Sequence, residues 1–171
     1  LEKVYLLFGD DVKRVGQVVD AIEATVDPAD RPFAVERIYA AEEHGFPVDV
    51  AAAARSYPML GDRRIVIVLR AEKWLKPKRA SKSSNADDEL EAAGADEPAD
   101  LQPIEEYLSR PVPSTTLVFV ASEIDKTRRL TKQLLKDACV AEFSWPSLGR
   151  GDASAAREVR AAAAALVQQE V

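Results

Sequence analysis

Three unbroken apolar runs constrain this chain more than anything else in it: residues 4–8 (VYLLF), 65–69 (IVIVL) and 115–121 (TTLVFVA). A strand with one wet face alternates apolar and polar side chains, whereas a continuous β-branched and aliphatic run has to be covered on both faces. Helical patterns separate the runs. The expectation is therefore an α/β fold, a parallel sheet flanked by helices and joined by right-handed crossovers.

The intervening segments fill in that plan. Gly9 ends the first run, and either Asp10 or Asp11 can cap a helix on which Val12, Val15, Val18, Val19, Ile22 and Val26 recur at helical spacing until Asp27-Pro28. Residues 33–39 read as a second strand, and residues 47–56 as a short alanine-rich helix. Residues 101–108 form another short helix with Pro103 near its start, closed by Pro111 and Pro113. Asp125 is placed to cap a basic amphipathic helix with Leu130, Leu134 and Leu135 on its apolar side, and residues 139–143 make the last strand. Between 77 and 100 the chain is Lys, Ser, Ala, Asp, Glu and Gly, which reads as a flexible insertion. Gly149-Arg150-Gly151 resembles a hinge. Residues 152–171, with the stripe Val159, Ala163, Leu166 and Val167, read as a helix that starts a second, truncated domain. The expected division is 1–146 and 147–171.

Composition removes several classes of function. The single cysteine, Cys139, allows no internal disulfide and is expected to be a buried thiol in a strand; the single histidine, His44, is a loop residue. Hydrolytic triads and histidine-rich zinc sites are hard to build from this set. No apolar run is long enough to span a bilayer and no secretory leader is evident, so the expected setting is cytoplasmic, with no membrane partner. A net charge of −6 argues against DNA binding as the main task, despite basic clusters at 73–82 and 126–136.

Strand, glycine, helix is also how a phosphate-binding loop begins. That loop needs G-x-x-x-x-G-K-[ST], so that amides wrap the phosphates, lysine reaches them and a hydroxyl holds Mg²⁺. Here Gly9 is followed by Asp10-Asp11-Val12-Lys13-Arg14-Val15-Gly16, without Gly-Lys-Ser/Thr, and two carboxylates stand where phosphate would arrive. The run at 65–69 leads only to Arg70-Ala71-Glu72, a poor metal-binding end. No nucleotide, metal or other cofactor is expected.

The turn at 57–62, Tyr57-Pro58-Met59-Leu60-Gly61-Asp62, is the most unusual stretch. Turns are ordinarily filled with Asn, Asp, Ser, Gly and Pro for backbone reasons, yet this one carries Tyr57, Met59 and Leu60. Such side chains either fold back onto the core or form an apolar tip held out for another protein.

The phrase Tyr57-Pro58-Met59-Leu60-Gly61-Asp62-Arg63-Arg64 followed by an apolar strand resembles the clamp-contacting element of delta subunits of the bacterial DNA polymerase III clamp loader. Residues 4–11 are similar to that family's opening strand and turn, 51–69 to its helix, turn and strand, and 111–143 to the strand, basic helix and strand that follow. The resemblance implies an AAA+/P-loop-like fold without a functional nucleotide site, in a non-catalytic subunit that binds and opens the β sliding clamp for loading onto primed DNA. It assigns clamp contact to Tyr57, Met59 and Leu60, with Pro58 stiffening the turn and Gly61 letting it close. Its implied partners are the clamp, the other clamp-loader subunits through a missing C-terminal region, and DNA only indirectly. A divergent P-loop-like ATPase and a single-strand DNA-binding protein using residues 126–136 are the alternatives.

Overall fold

A computed structural model gives the architecture and describes residues 1–58, 61–76 and 100–144. The three apolar runs are strands β1 (Val4–Phe8), β3 (Arg64–Leu69) and β4 (Thr115–Ala121), joined by β2 (Val35–Tyr39) and β5 (Cys139–Glu142). They form one sheet in the order β2-β3-β4-β1-β5, with every pairing parallel. The α/β fold expected from the uninterrupted runs is what forms. Leu6, Leu7, Ile65, Val66, Ile67, Val68, Leu117, Val118 and Phe119 are all essentially without solvent contact.

Two apolar layers cover the sheet. On one face, helix α1 (Val12–Glu23) brings Val15, Val19 and Ile22 onto Leu7, Ile65, Ile67 and Val118, and the short α2 (Arg31–Ala34) adds Ala34. On the other, α3 (Pro47–Arg55), α4 (Glu72–Leu75), α5 (Gln102–Ser109) and α6 (Arg129–Asp137) pack on Leu6, Phe8, Val66, Val68, Leu117 and Phe119. Small side chains, Ala51 and Ala54, let α3 lie close to β3 and α5. Larger ones, Trp74, Tyr107, Leu130 and Leu134, fill the rest of that layer.

Several expectations need correction. Residues 33 and 34 belong to α2 and not to the second strand, because amides of Phe33 and Ala34 bond the Asp30 carbonyl in a helical turn. Helix α1 stops at Glu23, so Val26 is buried from a following turn, and Val12 faces solvent at the first helical position. Asp125 does not cap α6: its carboxylate accepts from Thr127 N at 2.8 Å and Thr127 Oγ1 at 2.6 Å, and the N-cap is Arg128. Those bonds hold the Asp125 carboxyl below the usual carboxylate range. Cys139 is exposed, because among the described residues β5 pairs only with β1 and forms a sheet edge. The sequence carries no mark of helix α4, since four residues show too little periodicity to read. The insertion, the hinge and the helix expected at 152–171 lie outside the described residues, apart from Asp100.

At Gly9 the fold has a steric requirement. Its φ is +137°, and a Cβ there would sit 2.1 Å from the carbonyl oxygen of Phe143. That stretch of backbone cannot move away cheaply, because Phe143 N donates to Phe8 O and Phe143 O accepts from Asp11 N. Gly16, inside α1, meets nothing within 4 Å. Urea denaturation should therefore separate two formally identical changes: Gly9→Ala costs about 2–3 kcal/mol or more, whereas Gly16→Ala gains about 0.5–1 kcal/mol. Equal effects would mean that Gly9 does not pack as described.

Candidate protein-docking turn

Parallel pairing sends every connection to one of two ends of the sheet, so a functional site belongs to one end or the other. The strands β1 and β4 are neighbours whose chains leave in opposite directions, β1 toward β2 and β4 toward β5. Their carboxyl ends open a crevice of the kind in which α/β proteins hold ligands. Here it has a volume of about 300 Å³ and is lined by Asp10, Glu123 and Glu142, with Lys126. Asp11 Oδ1 accepts from Arg14 N at 3.0 Å and its other oxygen lies 3.3 Å from Arg14 Nε, so a carboxylate of the chain itself fills the start of α1. Glu72, the one acid after β3 that could have met a metal, accepts from Ser122 N at 3.2 Å and closes the end of β4. Glu123 is ion-paired with Lys76. Among the described residues no group of three His, Cys, Asp or Glu side chains is placed to hold a metal ion.

The amino end has a different character. Helix α3 ends where Ser56 turns extended, its amide bonding the carbonyls of Ala52 and Ala53 and its hydroxyl that of Ala52 at 2.9 Å. The residue before a proline disfavours helix, so Tyr57-Pro58 keeps the chain from resuming it. Tyr57 is then 81% exposed. Gly61 takes a left-handed φ of +72°, a conformation that costs any side chain with a Cβ. Beyond it Arg64 starts β3, its amide on Ser114 O at 2.9 Å and its guanidinium paired with Glu36 on β2. The turn is thus fastened on both sides, at Ser56 and at Arg64. Of the residues expected to make the contact, Tyr57, Pro58 and Gly61 are placed here, and Met59 and Leu60 lie outside the described residues.

The basic helix is partly committed to the fold. Arg128 Nη1 donates to Trp74 O at 2.6 Å, and Arg129 Nε lies 3.1 Å from Glu105 Oε2. Lys126, Lys132 and Lys136 remain on the surface. No described helix is long and apolar enough to cross a membrane.

Comparison with known proteins gives the lineage. The sequence profile of the family described as DNA polymerase III, delta subunit, matches residues 5–144. A curated relative, DNA polymerase III subunit delta of Bacillus subtilis, is 29% identical over 143 residues, covering 81% of this chain and 36% of its own. Among solved structures, the Bacillus subtilis DNA clamp loader delta protein superposes with a TM-score of 0.66 at 27% identity, covering 84% of this chain and 39% of its own. The chain therefore spans little more than a third of the length of these relatives. Since the profile matches most of its residues, the chain belongs to the DNA polymerase III delta-subunit family.

Proposed function

We propose that residues 1–146 form the clamp-binding domain of a non-catalytic clamp-loader subunit, which seizes the β sliding clamp through Tyr57, Met59 and Leu60 and holds one of its interfaces open. The observation that carries this reading is the position of Tyr57 on a turn fixed at Ser56 and Arg64, at the end of the sheet away from the crevice. A few apolar anchors on a stiff support lose little entropy on docking, and two or three such residues commonly supply most of an interface's affinity. Pro58 fixes one φ of the turn before binding, and Gly61 supplies at little steric cost the left-handed φ the turn needs to close. Ring opening then follows from preferential binding: a site that fits the opened ring better shifts the partner toward it.

The same reading makes the chain a passenger in ATP chemistry. Asp10, Glu123 and Glu142 outnumber the ammonium groups of Lys126 and of Lys76, which pairs with Glu123, a balance unfavourable to a polyphosphate, and Asp11 already caps the start of α1. ATP would be bound and hydrolysed by sister subunits in the cytoplasm, which the clamp-loader subunit would contact through its C-terminal region and not through residues 1–146. DNA would be met only within the assembled complex.

Two measurements test the proposal. Purified sliding clamp should be retained by the chain, and the Met59→Ala/Leu60→Ala variant should lose affinity by about tenfold or more with its melting temperature nearly unchanged. Parallel loss of binding and stability would place these side chains in the core and end the proposal. Calorimetry with Mg-ATP should give no binding heat; a saturable isotherm would favour the divergent ATPase instead.

A further inference from the structure

The turn is not the only apolar feature at the amino end. Helix α2 directs the small Ala34 inward, 1% exposed, and leaves the large Phe33 outward at 54%. A single exposed aromatic is unremarkable on a protein surface. Three further observations give this one significance.

First, it is held rigidly. Arg31 and Phe33 donate their amides to Asp27 and Asp30 carbonyls, and Arg31 Nε donates to Val26 O at 3.1 Å, so the helical turn is tied down before and within itself. Second, it stands at the same end as the docking turn: β2 and β3 pair Val35 with Ile65, so the residues just before each strand are neighbours. Third, the turn reaches the start of its helix. Starting from α3 on one face, the chain arrives at Gly61, where an added Cβ would lie 3.5 Å from Asp30 Oδ2, at the start of α2.

We propose that Phe33 is a second apolar contact of the same docking surface, resting on the clamp beside the place that receives the turn. The inference depends on the reading given above and adds to it an anchor from a different element. The partner's complementary patch would be apolar and lie next to the place that receives the turn, and contact with both elements would fix the angle at which the domain sits.

The fold supplies its own control. Phe46, also 54% exposed, follows the Ala41–Gly45 turn after β2 and therefore lies at the opposite, carboxyl end. Titration of purified sliding clamp into the chain should show Phe33→Ala weakening binding by about five- to tenfold, with Phe46→Ala unchanged. If Phe33→Ala lowers the melting temperature, Phe33→Leu and Phe33→Gln decide the matter: the apolar replacement should retain binding that the polar one loses. Unchanged affinity in Phe33→Ala, together with loss in Met59→Ala/Leu60→Ala, would overturn this inference and leave the proposed function standing. Equal weakening by Phe33→Ala and Phe46→Ala would also overturn it. If the double variant binds as the parent does, the proposed function fails and this contact fails with it.

Discussion

Burial of β1, β3 and β4 on both faces is the condition from which the rest of the molecule follows. Strands covered on both sides pair in parallel here, parallel strands demand crossovers, and crossovers collect all the loops at two ends. Each end is then free to acquire its own chemistry without disturbing the sheet. At the carboxyl end the chain has lined the crevice with carboxylates of its own; at the amino end it presents Tyr57 on a turn anchored at Ser56 and Arg64.

Gly9 shows how the carboxyl end is committed to structure. In a nucleotide-binding loop a glycine at this point lets backbone amides approach phosphate. Here the room left by its missing side chain is taken by the Phe143 carbonyl, which also receives the Asp11 amide. The same contact secures the edge strand β5 to β1. Asp11 then turns its carboxylate back onto α1, so glycine and acid together serve the packing of the first crossover.

Much of this was legible from the sequence because burial leaves a strong mark. The runs at 4–8, 65–69 and 115–121 needed no alternation to be recognised, and Leu130 and Leu134 marked the buried side of α6. The turn at 57–62 stood out because Tyr57, Met59 and Leu60 replace the residues that make turns easily. Where the reading failed, a local contact outweighed a pattern. Phe33 and Ala34 looked like strand residues until the Asp30 carbonyl gathered them into α2, and that error concealed the outward aromatic. Asp125 sits at a plausible capping distance but is taken by Thr127. Cys139 is apolar enough for a core strand, and only its edge position exposes it. Trp74 and Leu75 are deeply buried from a helix too short to announce itself among lysines.

The central claim is that the amino end of the sheet meets the partner and the carboxyl crevice does not. Hydrogen exchange of the backbone amides, with and without saturating sliding clamp, tests it directly. Exchange should slow across residues 57–63, while Gly9 and residues 122–126 keep their rates. Protection confined to Gly9 and residues 122–126, with the turn exchanging as fast as before, would contradict it.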